Sequence, residues 1–320
     1  MAQATIVLPA PSPFRLDLTA WALRRRWKNT VDRWDDGQYS RVIIADGHPA
    51  RLTAVQAMTG VQPTLMVTVE SATPISERAL NEAGLLVQKM FGLAVDLRPF
   101  YELADDDPAI GPLVQRFRGL RPPRFPTVFE GLVNAIACQQ VTLDLGIIVL
   151  NRLSQRFGPH LVDHDGVRHA FPAAADLADV GEEAIRELGF SRQKARAIQQ
   201  LAVHVVDTSV DLERLEGLNN DQAVAALSRV HGIGRWSAEY VLLRGLGRAG
   251  HLPGRRRRGA EQPATVVPPR RQADLRSYPA VDISVASLRG PRLLSPATGQ
   301  TARERRVMTP AATQLTSRDC

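Results

Sequence analysis

Three stretches near the start of the chain alternate or cluster β-branched residues between turn formers. They are residues 41–47 (RVIIADG), 50–57 (ARLTAVQA) and 64–71 (TLMVTVES). Val, Ile and Thr suit a pleated, half-buried surface, and the Gly, Pro and Asp boundaries mark turns, so the pattern predicts strands. Residues 76–92 (SERALNEAGLLVQKMFG) then place apolar side chains at helical spacing behind Ser76, a plausible N-cap. An antiparallel sheet covered by helices buries these faces.

From about Asp105 the period becomes helical throughout. Residues 125–158 form a long apolar-periodic stretch with no Pro after the opening Phe-Pro. Its length predicts two helices with a break near Thr142 or Asp144. Residues 182–188, 192–206 and 220–230 continue the series between Gly, Asp, Ser and Asn signals. Past Gly250 neither period persists; the sequence is rich in Pro and Arg and lacks Lys. The expectation is an α+β protein: an N-terminal antiparallel-sheet domain over 1–104, an all-α domain over 105–250, and a disordered tail over 251–320.

Charge changes this picture through its location. The net charge is +7, but residues 249–320 hold 13 Arg against 5 acidic groups. The first 248 residues carry 27 basic and 28 acidic groups. The high isoelectric point therefore belongs to the tail and says nothing about DNA binding by the folded part. Two cysteines, Cys138 and Cys320, exclude a disulfide framework and a four-thiolate metal centre. No run of about 18 apolar residues predicts a membrane span. The first residues have no basic stretch followed by an apolar one, so no secretory signal is expected and a cytoplasmic location is the default.

The sharpest local signal is LSRVHGIGRWSAEYVLLRG, residues 227–245. A helix is expected to end at Val230, His231–Gly234 to turn tightly, and a second helix to start at about Arg235. Gly232 and Gly234 free the turn of side-chain bulk and permit positive φ. Backbone amides at the next helix start can then approach a phosphate oxygen. Such a contact positions DNA without reading its sequence. A plain helix connection with a Gly C-cap gives the same dipeptide pattern.

This segment resembles the helix-hairpin-helix glycosylase superfamily, and within it the bacterial 3-methyladenine DNA glycosylase II type. The residues that carry the resemblance are Gly232, Ile233, Gly234, Arg235, Trp236, Ser237, Ala238, Tyr240 and Arg244. His231 stands where the family usually has Pro. Residues 125–142 resemble the family helix that ends in a Gln-rich turn, and 188–202 its middle helix pair, so the resemblance covers 1–250.

The resemblance implies that a damaged nucleotide is flipped from duplex DNA into a pocket. Trp236 and Tyr240, one helical turn apart, would form the wall against which an electron-poor alkylated base stacks; two aromatic core residues are the alternative. Gln139 and Gln140 fall where the family inserts a wedge into the gap left by the base; a polar helix C-terminus is the alternative. Gly232, Ile233, Gly234, Arg235 and Ser237 would make the DNA contact. Bifunctional relatives place a Schiff-base Lys at the Trp236 position, and an indole cannot do that chemistry. Iron–sulfur members need four clustered Cys. The expectation is a monofunctional hydrolase, a monomer acting on double-stranded DNA with alkylated bases. It needs no cofactor, although the family allows a structural monovalent cation at the hairpin.

That hydrolase needs a carboxylate, which the family places about twenty residues after the Trp position in a Phe-Pro-x-x-Asp-like turn. Here the count reaches Arg256, within HLPGRRRR. With suitable codons, a one-nucleotide shift of frame lets this stretch read Phe-Pro-Gly-Asp-Asp-Val-Gly-Ala, and lets 290–299 read like the family's last helix. The expectation is that the chain past Gly250 is out of frame, that no catalytic residue is present, and that activity is impaired. A basic tail that binds DNA or targets the protein is the rival account. His160, His164 and His169 match no metal-ligand spacing and are expected in a polar loop.

Overall fold

A computed structural model of the chain describes residues 1–59 and 62–248. The expectations about the tail over 251–320, Arg256 included, lie outside the described residues.

The N-terminal layer contains β1 (Ala2–Pro9), α1 (Leu16–Arg24), β2 (Arg33–Asp35), β3 (Gln38–Ala45), β4 (His48–Thr59), β5 (Gln62–Ser71) and α2 (Glu77–Met90). The strands form one antiparallel sheet in the order β1-β5-β4-β3-β2. Alternation along β5 turns Leu65, Val67 and Val69 inward. There they meet Leu16, Ala20 and Leu23 of α1 and Ala79, Ala83, Val87 and Met90 of α2. The three predicted strands are present. The strand β1 was not visible as one, because its polar and apolar residues give no clear signal before a partner is known. Ser76 caps α2 as expected, its hydroxyl accepting from the Ala79 amide at 3.1 Å.

Next come α3 (Arg98–Asp105) and α4 (Gly111–Arg116), which stay with the N-terminal layer. The Arg121 amide donates to Thr19 Oγ1 and the Arg15 amide to the Gly119 carbonyl. The second core therefore begins near Phe125 rather than at Asp105. It is built from α5 (Val128–Ala137), α6 (Leu143–Phe157), α7 (Ala174–Ala178), α8 (Glu182–Arg186), α9 (Arg192–Val206), α10 (Asn220–Leu227) and α11 (Arg235–Arg244). All ten residues of α5 are buried, so it forms the centre of this layer. The long apolar stretch breaks where predicted: Thr142 is the N-cap of α6, accepting from the Leu145 amide at 3.3 Å.

One expectation is corrected. The second region is not all-α, because residues 160–169 form a hairpin of β6 (His160–Asp163) and β7 (Gly166–His169). Its short strands are rich in His and Asp, which hid them. Asp163 is buried between Arg51 of β4 and Arg168, and that ion pairing pins the hairpin to the sheet. Among the described residues no cluster of three or more His, Cys, Asp or Glu is placed to hold a metal. Among them, too, no helix is long and apolar enough to cross a membrane.

A buried polar seam joins the two layers. Arg41 of β3 bridges Asp32 and Glu130 of α5 at 3.0 Å each, and Tyr39 donates to Asp32 at 2.6 Å. Desolvation pushes the Glu130 carboxyl up to about 7; Arg41 opposes this and Asp32 adds to it. Burial disfavours the Arg41 charge, yet the two carboxylates hold its proton more tightly than usual. Removing one partner of such a set costs about 3–5 kcal/mol.

Candidate nucleic-acid interface and base pocket

The helix before the hairpin ends at Leu227, earlier than the expected Val230, and α11 starts at Arg235 as expected. Gly232 has φ +81°, and a Cβ there would lie 2.6 Å from the Ala197 Cβ of α9. Conformation and space both require glycine at that position. Gly234 differs: its φ is negative, a methyl group would meet open space, and it N-caps α11 without a side-chain hydrogen bond. Its exposed backbone therefore stands at the positive end of the helix.

The predicted contact residues separate into two groups. Ile233 belongs to the core, and the Ser237 side chain is buried, so these two hold the hairpin in place. Gly234 and Arg235 are exposed. Arg235 reaches forward one turn to Glu239 at 2.8 Å, and that pair holds its guanidinium proton more tightly than usual.

Gln139 and Gln140 also separate. Gln139 donates to the Gly232 carbonyl at 3.0 Å and to Ser237 Oγ at 3.1 Å, which ties the end of α5 to the hairpin. Gln140 is exposed, with φ +53°. It stands out from the turn, next to Val141, which is also exposed.

Trp236 and Tyr240 do come together. Their rings stack with centroids 5.5 Å apart and planes 12° apart. Tyr240 is backed by Phe125, at 6.2 Å and 59°. The result is an aromatic ladder from the buried Phe125 to the half-buried Trp236. With 5.5 Å between the two upper rings, a base has no room between them and would stack on the outside of the pair.

The sequence reading missed Phe125 and Arg25 as parts of this site. The guanidiniums of Arg25 and Arg244 each lie 5.4 Å from the Phe125 ring centroid. Arg25, at φ +63° after α1, is aimed inward and donates to Asn134 Oδ1 of α5. Burial lowers the proton affinity of Arg244; Tyr240 offsets part of this and Arg25 adds to it. The run Arg24-Arg25-Arg26-Trp27-Lys28 was a visible signal: four basic residues around an aromatic, in a region of nearly balanced charge.

Comparison with known proteins agrees with this geometry. The model of the HhH-GPD superfamily base excision DNA repair proteins matches residues 133–304, running past the 1–250 over which the motifs carry the resemblance. DNA-3-methyladenine glycosylase 2 of Escherichia coli is 32% identical over 224 residues, 70% of this chain and 74% of that protein. DNA-3-methyladenine glycosylase of Bacillus subtilis is 25% identical over 240 residues, 75% of this chain and 78% of its own. The solved 3-methyladenine DNA-glycosylase from Archaeoglobus fulgidus superposes with a TM-score of 0.64 at 26% identity, over 76% of this chain and 79% of that one. A hairpin fixed by Gly232, an aromatic ladder at its exit and these matches lead to one assignment: the chain belongs to the HhH-GPD superfamily of base excision DNA repair proteins.

Proposed function

We propose that the chain carries out the recognition half of a monofunctional DNA-3-methyladenine glycosylase reaction, as a cytoplasmic monomer on double-stranded DNA. The amides around Gly234 and Arg235 hold a backbone phosphate. Gln140 enters the gap left by an everted alkylated base, and the base stacks against the Trp236–Tyr240 pair. The observation that carries this reading is the 12° stack of Trp236 on Tyr240, one turn from an uncapped helix start.

Cleavage of the bond between base and C1′ leaves positive charge on the sugar, which a carboxylate stabilises while water attacks. The family position of that carboxylate corresponds to Arg256. A guanidinium is cationic and cannot supply the negative charge that this stabilisation needs. The reading is therefore binding and eversion with impaired release, the in-frame parent supplying the full hydrolase. A second reading, a DNA-binding protein that uses the hairpin and the basic tail and never turns over, rests on the same Arg256.

Equilibrium binding to a duplex that carries a stable, uncleavable analogue of an alkylated base tests the grip. Trp236→Ala should weaken lesion binding by about tenfold. Deleting residues 251–320 should leave most of the binding intact if the hairpin is the grip, and abolish it if the tail is. Equal binding of lesion and undamaged duplex by parent and Trp236→Ala would remove the pocket from the account.

A further inference from the structure

Trp27 is 73% exposed, although it sits on one of the best-anchored segments of the molecule. Residues 25–30 run along α6 as a strap. Arg26 Nε pairs with Asp144 Oδ1 at 3.2 Å. Asn151 grips the strap twice: its Nδ2 donates to the Lys28 carbonyl at 2.7 Å, and its Oδ1 accepts from the Thr30 amide at 3.0 Å. Inside the strap, Asn29 donates to the Arg24 carbonyl and accepts from the amides of Val31 and Asp32. A flexible loop could fold an indole against the surface. This strap holds it outward, leaving a large apolar ring in water, where its burial would be favourable.

The position of the strap narrows the choice of partner. Cys138 and Asp144 bracket the turn that carries Gln140, and the strap touches both, through Arg25 at 4.0 Å and through Arg26. Val141 and Leu145, on the same stretch, are exposed. The turn is thus tied at its start to the hairpin through Gln139 and at its end to the strap. Lys28 Nζ lies 5.2 Å from the Trp27 ring centroid and has no carboxylate partner among the described residues. A polyanion with flat, stackable groups fits a lysine set against an open indole.

We propose that Trp27 and Lys28 form a second DNA-contacting element beside the wedge turn, the indole against a base or sugar and the ammonium on a phosphate. This deepens the DNA-binding reading above and rests on it. The strap then does two jobs from residues two apart, Arg25 lining the base pocket and Trp27 bracing the duplex outside it.

The test is fluorescence-anisotropy binding of the full chain to a labelled duplex with a stable abasic-site analogue, over a salt series. Trp27→Ala should weaken binding by about tenfold and Trp27→Phe by much less. Lys28→Ala should reduce the slope of log affinity against log salt by about one. Thermal melts of all three variants should match the parent, since neither side chain is packed. A parent that binds while Trp27→Ala binds within twofold of it would overturn this proposal alone. A parent that binds no duplex would overturn both it and the reading beneath it, and Gly234→Ser, whose added side chain meets open space, separates the hairpin's share from the strap's.

Discussion

Gln139 and Ser237 are joined by a hydrogen bond of 3.1 Å that links the end of α5 to the first turn of α11. With the bond from the same amide to the Gly232 carbonyl, it makes Gln139 a brace for the hairpin, while Gln140 stays exposed at the turn. Gln139→Ala should cost about 1 kcal/mol of stability in a denaturant titration and weaken DNA binding with it. Gln140→Ala should leave stability within about 0.5 kcal/mol. It should instead lower the extent of base eversion, read as 2-aminopurine fluorescence at the target position. A loss of stability in Gln140→Ala with none in Gln139→Ala would reverse these roles.

The two hairpin glycines should respond in opposite ways. Gly232→Ala meets a positive φ and the Ala197 methyl group, and should destabilise by about 2–4 kcal/mol. Gly234→Ser faces open space and supplies the cap that α11 lacks, so it should stabilise by about 0.5–1 kcal/mol. The same hydroxyl would occupy the amides proposed to hold a phosphate, so DNA affinity should fall as the melting temperature rises. A Gly234→Ser protein that binds DNA as well as the parent would show that these amides are not the contact.

How much of this was legible in sequence follows from where each signal is local. The hairpin, the caps at Ser76 and Thr142 and the pairing of Trp236 with Tyr240 each lie within a few residues of one another. Periodicity and turn chemistry reveal them directly. Phe125 and Arg25 come from segments a hundred residues apart, and only the fold sets Arg25, just after α1, against the Phe125 ring and Asn134 of α5. The division between Gln139 and Gln140 depends on which amide finds the hairpin carbonyl, which no spacing rule contains. The β6–β7 hairpin was hidden because Leu161 is its one buried aliphatic residue, Val162 and Val167 face outward, and Arg168 turns inward onto Asp163.

Buried charge at the layer boundary gives a pH dependence. The Glu130 carboxyl is raised from its ordinary value to about 7, so the folded state holds the proton more tightly than the unfolded chain. Its contribution to stability is full below about pH 4.5 and is lost as pH rises through about 7. Between pH 5 and 8 the parent should therefore lose about 1–3 kcal/mol relative to Glu130→Gln, whose curve lacks this component. Melting curves of the two proteins that run parallel over this range would contradict the raised carboxyl.

The central claim is that the recognition apparatus is intact and the acid is missing. The direct measurement is single-turnover release of 3-methyladenine from alkylated duplex, with the chain as written beside a version translated in the shifted frame after Gly250. The account predicts that both bind the duplex, that the shifted-frame protein releases base, and that the chain as written releases none above the spontaneous rate. Base release by the chain as written would contradict it, and would mean that another of its own carboxylates reaches the sugar.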